Sequence, residues 1–396
     1  MTGPSHGGDG PSALARAIRT GIDRDPAHGA VTPPLHPSTT FTFEQFGQAR
    51  TYDYTRSGNP TRDLLGEAIA TLEGGADAVI TSTGISAITL VLLAHLGPGD
   101  VLVVPHDCYG GSWRVFRHLA DKGHFTIETL DLTDTEPACA TVRELRPAMV
   151  WLETPSNPVL RITDLAALAG AARDAGAVSV ADNTFCSPLL QQPFEHGVDL
   201  VVHSTTKYLN GHSDVVGGAV VGATAESAAE MKRWGNVLGL TASPFDSWLT
   251  LRGLRTLDAR MRVHQENATR VVDLLLDHPT VAAVYYPGLP DHPGHALAAR
   301  QQSGFGGMVS FELTGGAPAA KAFVEGLALF SLAESLGGTE SLVAHPATMT
   351  HASMSPEARE VAGVGDGLLR LSVGIEPADD LVADLRAGLD RATRAT

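Results

Sequence analysis

The sequence predicts an α/β fold, with a large domain on a mostly parallel β-sheet and a smaller α+β domain at the C-terminal end. Two observations indicate this fold. From about residue 60, helical patterns alternate with short apolar runs, which is typical of a parallel sheet with helices on both faces. Beyond a long helical segment that begins near Pro244, the spacing of strands and helices changes. A chain of 396 residues is long enough for both domains.

The large domain begins with a helix from Pro60 to Leu72. Asn59 can cap this helix, proline suits the first helical position, and Gly74 follows its end. Further helices are predicted at 85–96, 113–122 and 164–174, and strands at 78–81, 101–104, 149–153, 177–181 and 199–203. Ligands collect at the carboxyl ends of the strands in such sheets. The polar residues predicted at these ends are Glu153, Asp182 and His203.

The small domain follows a helical segment from Pro244 to about His278, with or without an interruption. Strands are predicted at 281–285, 308–313 and 368–373, and helices at 317–327 and 377–391. We therefore expect an N-terminal arm over residues 1–59, a large domain over 60–255 and a small domain over 256–396.

Composition excludes some classes of partner. A formal net charge of −16 argues against nucleic acid and against anionic membranes, since either would need a basic face. The three cysteines are odd in number and have no paired spacing, which fits a reducing compartment. The first ten residues lack the apolar core of a signal peptide, and no apolar run approaches the length of a membrane span. We expect a cytoplasmic protein with no nucleic-acid or membrane partner.

Lys207 is the most informative residue, because it follows the buried strand 199–203 after a few small hydroxyl residues. A lysine in such a place is costly unless its charge is used or lost. The strand 177–181 runs into Asp182. Pyridoxal 5′-phosphate (PLP) chemistry needs an amine that forms an imine with the aldehyde and a carboxylate that keeps the pyridine nitrogen protonated. We therefore predict PLP as the cofactor; the alternative is a buried Lys207–Asp182 ion pair.

A phosphate site is predicted where the strand 78–81 runs through Gly84 into a helix, because the free N–H groups of a helix start favour an anion. Ser204 and Thr206 add hydroxyl donors from the second strand end. Tyr54 and Arg56, on an irregular segment before the first helix, are also strong phosphate donors. Taken singly, the first motif fits an ordinary capped helix and the arginine fits a solvated loop.

Two more residues suggest ligand contacts. Tyr109 follows a strand end, where its ring is able to stack on a flat cofactor or simply lie at the surface. Arg370 lies inside an apolar strand of the small domain and must pair, either with a substrate α-carboxylate or with an internal carboxylate such as Glu334. No histidine group has cysteine or carboxylate neighbours at metal-ligand spacing, so no metal is predicted.

Together these motifs resemble the Cys/Met-metabolism family of PLP-dependent enzymes, which have fold type I. The similar stretches run from about residue 18 to the end and include 53–56, 58–61, 107–112, 154–158, 182–185, the segment around Lys207, 333–338 and Arg370. Within the family, the chain is most similar to the bacterial cystathionine γ-synthases, notably at 106–111, 210–214 and 299–302.

The resemblance implies roles for these residues. Lys207 is expected to be the Schiff-base lysine and acid/base, Asp182 the partner of the ring nitrogen, and Tyr109 the stacking ring and a catalytic residue. The other expected cofactor-binding residues are Gly84, Ile85, Asn157, Thr184, Ser204 and Thr206, with Tyr54 and Arg56 supplied by a neighbouring subunit. The expected substrate-binding residues are Asp53, Arg114, Asn157, Glu334, Ser335 and Arg370. The N-terminal arm would therefore contact another subunit, and a homotetramer is expected.

The reaction implied by the resemblance is γ-replacement between O-succinyl- or O-acetyl-L-homoserine and L-cysteine, which gives cystathionine. Ser57 stands where some synthases have a second arginine for a distal carboxylate, so the acetyl ester is favoured unless Arg114 substitutes. The alternative is a cystathionine γ-lyase or a related enzyme of secondary metabolism. Gly111 replaces the cysteine typical of methionine γ-lyases and argues against that activity. A non-catalytic protein on the same fold is the alternative from another class.

Overall fold

The computed structural model describes residues 10–350, 359 and 362–395. Its helices are α1 (Ala13–Arg19), α2 (Pro60–Glu73), α3 (Gly84–His95), α4 (Gly110–Asp121), α5 (Thr135–Leu145), α6 (Leu165–Ala175), α7 (Ser187–Leu190), α8 (Ala225–Leu238), α9 (Pro244–Leu254), α10 (Leu257–Leu276), α11 (His295–Gln301), α12 (Gly316–Val324) and α13 (Ala378–Ala395). Its strands are β1 (Asp77–Thr81), β2 (Val101–Pro105), β3 (Thr126–Leu130), β4 (Met149–Glu153), β5 (Val178–Asp182), β6 (Leu200–His203), β7 (Gly218–Gly222), β8 (Val281–Tyr285), β9 (Met308–Leu313), β10 (Ser331–Leu332), β11 (Leu342–Ala344) and β12 (Leu368–Ser372).

A seven-stranded sheet with the order β1-β7-β6-β5-β4-β2-β3 forms the larger half of the fold. β7 is antiparallel to both of its neighbours, and the other six strands run in one direction. Helices α3, α4 and α8 pack on one face, while α2, α5 and α6 pack on the other. Every residue of β4 is buried, as expected for a strand covered on both faces. The predicted mostly parallel sheet is confirmed.

A five-stranded, mainly antiparallel sheet with the order β10-β11-β12-β9-β8 forms the smaller half. Helices α10, α12 and α13 pack against it through a shared apolar core. The predicted helical segment from Pro244 is interrupted, because α9 ends at Leu254 and α10 begins at Leu257. α12 ends three residues earlier than predicted, at Val324, and the last helix extends to Ala395.

The sequence analysis missed two strands of the large sheet for different reasons. β3, at the edge of the sheet, has no buried residue and therefore shows no apolar run. β7 is flanked by glycines, which resemble loop residues in sequence. The helices α5 and α8 that neighbour these strands were missed with them. The predicted cap of α2 is present: the Asn59 side chain accepts from two backbone N–H groups, and Gly74 ends the helix with a φ of 75°.

The segment between α1 and α2 contains little regular structure. Two isolated β-bridges join Thr40 to Tyr54 and Gln45 to Gln48. Phe43 and Phe46 are exposed along it. None of the helices in the described residues is both long and apolar enough to span a membrane.

Candidate active site

Lys207 lies in the turn after β6, at the edge where the parallel strands of the large sheet end. Its Nζ donates to the Oγ of Ser335 at 2.8 Å. Ser335 lies in the loop after β10. Burial lowers the pKa of Lys207 to about 8, and the nearby Arg370 charge acts in the same direction, while Glu334 opposes them. The lysine is therefore bonded to a serine hydroxyl rather than to Asp182, and its amine is poised to lose its proton near neutral pH.

Asp182 and Glu153 are paired carboxyl groups at the ends of the adjacent strands β5 and β4. Burial, the Asp182 charge and Asp107 raise the pKa of Glu153 well above its usual value, although it receives the backbone N–H groups of Tyr109 and Asn157. Burial also raises the pKa of Asp182, but the Thr184 hydroxyl and N–H and the His203 charge oppose that rise. Asp182 therefore has the partners of an anion, and Glu153 is the carboxyl group that keeps its proton.

The start of α3 and the turn after β6 meet in a small cup. A Cβ added to Gly84 would lie 2.9 Å from Ser204 Cβ, so only glycine permits this approach. Thr83 caps α3 by accepting from Ser86 N, while the N–H groups of Gly84 and Ile85 lie in the first turn, where helices leave donors unpaired. Thr184 Oγ1 accepts from Ser204 N at 2.9 Å and ties the end of β5 to the cup. The cup has the shape and donors of an anion site.

Glycines at the start of β7 allow the turn before α3 and the turn after β6 to approach each other. A Cβ on Gly218 would clash with Thr83 O, and one on Gly217 would clash with Thr205 Oγ1. The Thr206 hydroxyl donates to Gly217 O at 3.2 Å and accepts from Gly217 N at 3.0 Å. Thr206 is thus close to the cup, but its hydroxyl proton is directed to the backbone.

Tyr109 precedes α4, and its ring, 38% exposed, covers the first turn of this helix. Its N–H donates to Glu153 Oε2 at 2.9 Å. A Cβ on Gly111 would lie 2.9 Å from Tyr109 Cζ and still closer to Cε1, so the ring position depends on this glycine. Burial and the Glu334 charge raise the pKa of Tyr109, and Arg114 on α4 acts against them. The predicted residues Arg114 and Glu334 therefore lie within electrostatic reach of the ring.

Arg370 on β12 brings the smaller sheet into the site. It is 3% exposed, and burial lowers its pKa to about 10. Its Nη1 donates to Asn157 Oδ1 at 2.8 Å and its Nη2 to Ser335 O at 3.0 Å. Its Nε has no partner among the residues described. Glu334 acts on it only through its charge, so the guanidinium keeps an unused donor for an acceptor such as a ligand carboxylate.

Ser335 joins the two cationic side chains. Its Oγ accepts from Lys207 and its carbonyl oxygen accepts from Arg370. Its φ of 98° lies in a region that residues other than glycine rarely adopt. Such a strained backbone conformation persists only where surrounding contacts hold the residue in place, and it is common at ligand-binding sites.

Three predicted residues, Asp53, Tyr54 and Arg56, are not brought to Lys207 within one chain. Arg56 Nε donates to Asn236 Oδ1 of α8 at 3.1 Å, and its guanidinium lies over the Tyr54 ring at 5.3 Å. Asp53 Oδ1 accepts from Tyr54 N at 2.6 Å and from the Ser57 hydroxyl at 2.8 Å. All three are exposed on the segment before α2.

The structure adds residues to which the sequence analysis gave no role. Glu153 and His203 were placed at strand ends but not assigned, and Glu73 was not considered. Glu73 contacts His203 in a buried pair. The sequence contains a signal for Glu73, since it lies four and eight positions after the buried Ile69 and Leu65 on the apolar stripe of α2.

The residues present fit PLP on three grounds. The cup at Gly84 supplies backbone and hydroxyl donors for a phosphate. Asp182 offers a carboxyl group at the end of β5, and Lys207 supplies an amine from the turn after β6, where its Nζ is bonded to Ser335 Oγ. The unpaired Nε of Arg370 remains for the carboxylate of an amino acid.

Comparisons with known proteins agree with this chemistry. A family described as Cys/Met metabolism PLP-dependent enzyme matches residues 15–390. The chain is 52% identical over 378 residues to cystathionine γ-synthase of Escherichia coli strain K12, covering 96% of the chain and 98% of that protein. It is 44% identical over 380 residues to cystathionine β-lyase of Lactococcus lactis subsp. cremoris, covering 96% and 99%. A crystal structure of cystathionine γ-synthase from Xanthomonas oryzae pv. oryzae in complex with cystathionine is 64% identical, with a TM-score of 0.96 over 98% of the chain and 100% of that structure's chain.

Proposed function

The chain belongs to the Cys/Met-metabolism family of PLP-dependent enzymes, and on that premise we propose that it catalyses γ-replacement, joining an activated homoserine ester to L-cysteine to give cystathionine. The observation that carries the proposal is the cluster of Lys207, Ser335 and Arg370, which places a weakly basic amine beside a buried guanidinium with an unused donor. An amine and a carboxylate binder so arranged suit proton transfer at the α-carbon of an amino acid. The choice of γ-replacement rests on the likeness to two synthases at 52% and 64% identity.

Groups that follow the ends of five strands would hold the cofactor. Bound PLP supplies an aldehyde that condenses with amines and a cationic ring that withdraws electrons from the substrate. Asp182 would pair with the ring nitrogen, and Tyr109 would cover the ring face. The N–H groups at the start of α3 and the Ser204 turn would bind the phosphate. Asn157 would contact the ring edge while it holds Arg370.

Lys207 is the base of the proposed reaction. With a pKa lowered to about 8, an appreciable share of its amine is neutral at physiological pH and able to accept a proton. Lys207 would remove protons from Cα and then Cβ, which lets the acyl group leave Cγ as its carboxylate, acetate or succinate. After the thiolate sulfur of cysteine adds at Cγ, Lys207 would return protons to Cβ and Cα. Ser335 keeps the amine on the substrate side of the turn by its hydrogen bond.

Arg370 would bind the substrate α-carboxylate, because its Nε is unpaired within residues 10–350, 359 and 362–395 and its other nitrogens are fixed by Asn157 and Ser335. Glu334 precedes Ser335 and would face the distal, amino end of the product. Arg114 would lie at the mouth of the site on the exposed side of α4.

The acetyl ester is the favoured acyl donor. Ser57 presents a hydroxyl that is engaged with Asp53 Oδ1 and Tyr54 O, and it provides no charge for a distal carboxylate. Kinetics on the two homoserine esters test this preference. A kcat/KM several-fold higher for the acetyl ester is expected, and a clear preference for the succinyl ester would contradict it.

A second subunit would complete the phosphate site. Tyr54 and Arg56 make their contacts with each other and with α8, and the segment that carries them exposes Phe43 and Phe46. We expect this segment to pack on a neighbouring copy in a homotetramer and to bring Tyr54 and Arg56 to its phosphate. A reducing, cytoplasmic location fits the three buried, unpaired cysteines.

Product analysis tests the reaction. The purified holoenzyme is incubated with O-acetyl- or O-succinyl-L-homoserine and L-cysteine, and separately with cystathionine alone. Cystathionine formed in the first mixture is the expected result. Rapid breakdown of cystathionine with no synthesis in the first mixture would contradict the proposal.

The second candidate is a lyase that cleaves cystathionine, which the 44% identity to the L. lactis β-lyase supports. The products separate the possibilities. With water consumed in each case, cleavage at the γ-carbon releases cysteine, ammonia and a four-carbon oxo acid, whereas cleavage at the β-carbon releases homocysteine, ammonia and pyruvate. Either pattern would assign the chain to elimination.

A further inference from the structure

Two buried carboxyl groups join the loop that carries Tyr109 to the loop that carries Asn157. The first is Glu153, the last residue of β4, which is 7% exposed. Its Oε2 accepts from Tyr109 N at 2.9 Å, and the backbone N–H of Asn157 also donates to its carboxyl group. One side chain is therefore bonded to the main chain of two residues that the proposed function places against the cofactor.

The second carboxyl group belongs to Asp107, which follows β2 and is 3% exposed. Its Oδ2 accepts from the hydroxyl of Ser156 at 2.7 Å and from Arg161 Nη1 at 3.1 Å. Asp107 precedes Tyr109 by two positions, and Ser156 directly precedes Asn157. The same two loops are therefore joined a second time, through side chains.

These contacts lie beyond the backbone pairing of the two strands. In the part of the chain that the structure describes, the ladder between β2 and β4 runs over Leu102–Val103 and Met149–Val150. Both strands continue past this ladder toward the site. There the bonds of Glu153 and Asp107 connect the two strand ends, so these carboxyl groups determine how the loops lie relative to each other.

Asn157 extends this placement to the smaller sheet. Its Oδ1 accepts from Arg370 Nη1 at 2.8 Å, while Ser335 O accepts from Arg370 Nη2 at 3.0 Å. A shift of the Asn157 loop would therefore remove one of the two contacts that orient the guanidinium. The carboxyl groups thus affect both the ring of Tyr109 and the proposed binder of the substrate carboxylate.

We propose that Glu153 and Asp107 are positioning residues, which together hold the Tyr109 ring over the proposed cofactor site and Asn157 at its edge. The inference rests on the proposed placement of PLP between these two residues and is independent of which homoserine ester is used. Neither carboxyl group needs to touch the cofactor or to transfer a proton in the reaction.

A purely structural role is the competing explanation, in which the two carboxyl groups only fasten β2 to β4. Buried polar groups are costly unless they are bonded, and a fully bonded set favours a single geometry. Both explanations therefore predict a loss of stability when a carboxyl group is removed. They differ in the folded protein, because only a positioning role requires that PLP binding depend on Tyr109 and Asn157.

Asp107 allows a matched pair of variants, since one oxygen accepts both of its bonds. Asp107→Asn keeps an amide oxygen in that place, whereas Asp107→Ala removes it. Glu153→Ala removes the acceptor of the two backbone N–H groups, and Ser156→Ala removes the hydroxyl bonded to Asp107. Asp199→Ala is the control, because Asp199 precedes β6 at the opposite end of the strands and accepts from Ser179 N at 2.9 Å and Ser179 Oγ at 2.7 Å.

The readouts are the PLP dissociation constant by equilibrium dialysis, the visible circular dichroism of bound PLP, and thermal unfolding of the apo-protein. Glu153→Ala and Asp107→Ala should each raise the dissociation constant about tenfold, the size expected when a buried donor loses its acceptor. Their dichroism should change, because the ring would lie in altered surroundings. Asp107→Asn should remain close to the wild type, and Asp199→Ala should bind PLP normally.

A background without the two positioned side chains separates the explanations. In Tyr109→Ala/Asn157→Ala, the further change Glu153→Ala should raise the dissociation constant much less than it does in the wild type, because the side chains that Glu153 places are gone. A fastening role predicts the same increase in both backgrounds.

Unchanged PLP affinity and dichroism in Glu153→Ala and Asp107→Ala, or equal increases in both backgrounds, would overturn the inference. The Tyr109→Ala/Asn157→Ala variant separates this failure from a failure of the proposed function. If that variant binds PLP normally, the placement of the ring is wrong; if it is impaired while the carboxyl variants are not, only the positioning role is wrong. If Glu153→Ala does not fold, Asp107→Ala and Ser156→Ala, which leave Glu153 in place, decide by the same criteria.

Discussion

At the scale of single residues, Lys207 shows how a fold makes a base from a group that is ordinarily a strong cation. Its pKa is about 8 rather than 10.5, mainly because it is buried, and secondly because Arg370 is close. The protein stabilises neither charge fully: Lys207 has a serine for a partner, and Arg370 Nε has no partner in the part of the chain that the structure describes. The charges of Lys207 and Arg370 are therefore incompletely compensated, and a bound carboxylate ligand would compensate them.

Apo-protein stability should reveal this cost. Unfolded lysine titrates near 10.5 and Lys207 near 8, so between these values the unfolded chain binds more protons and stability rises with pH. Lys207→Met apo-protein should therefore be more stable than wild-type apo-protein below pH 8, by about 1.4 kcal/mol for each unit of displaced pKa. Its advantage should shrink between pH 8 and 10.5. Denaturant unfolding at several pH values measures it; a constant difference across this range would contradict the depressed pKa.

Loss of the Lys207 amine should also abolish turnover. Lys207→Ala would remove both the proposed covalent anchor for PLP and the proposed base, and general-base catalysis alone is commonly worth about 10²–10⁴ in rate. We expect no detectable cystathionine formation and loss of the visible absorption of the anchored cofactor. Lys232→Ala is the control, because Lys232 is a half-exposed lysine paired with Asp77 at the far edge of the sheet. Normal activity of Lys207→Ala would refute the assignment.

At the scale of elements, the site is assembled from the carboxyl ends of β4, β5 and β6 and the start of α3, which adjoin along one edge of the sheet. β7 makes this possible although it carries none of the predicted site residues. It lies between β1 and β6, and the glycines at its start leave room for both turns. A strand that the sequence analysis did not predict therefore sets the distance between the two halves of the cup.

The contact between α3 and the β6 turn gives a prediction at this scale. Gly84→Ala should force the Ser204 turn away, because the new Cβ would lie 2.9 Å from Ser204 Cβ. We expect PLP affinity to fall at least about tenfold, or 1.4 kcal/mol. Gly170→Ala in α6 is the matched control, since an added Cβ there meets nothing within 4 Å, and alanine should favour that helix. Equal PLP affinity for the two variants, measured by dialysis, would show that the cup is not the phosphate site.

At the scale of the whole molecule, one chain holds an incomplete set of the expected cofactor residues. Tyr54 and Arg56 lie on a segment with isolated bridges and exposed aromatic rings. The smaller sheet, in contrast, delivers Arg370 and the loop with Ser335 directly to Lys207. Both halves of one chain therefore meet at the proposed substrate end, whereas the proposed phosphate site would be completed by a second copy of the chain.

Subunit mixing tests the shared site. Arg56→Ala and Lys207→Ala should each be nearly inactive, because each lesion affects every site of its own oligomer. After the two are unfolded and refolded together, random pairing across a two-fold interface should give about a quarter of the sites both residues intact, and activity should return in proportion. Refolding each variant alone is the control. No recovery from stable mixed oligomers would show that Arg56 serves the site of its own chain.

Sequence patterns alone predicted the parallel sheet, the strand-end positions of Lys207 and Asp182, the capped start of α2 and the buried Arg370, because each depends on local periodicity or on the cost of burying a charge. The family resemblance added Ser335 and Asn157, which no local pattern singles out. Tertiary structure alone decided that Lys207 bonds to Ser335, that Arg370 bonds to Asn157 and Ser335 rather than to Glu334, and that Glu73 joins His203. Three of these contacts join residues more than a hundred positions apart, and the contact of Arg370 with Ser335 spans 35 positions. Their distances and charges therefore follow from how the two sheets and α2 pack.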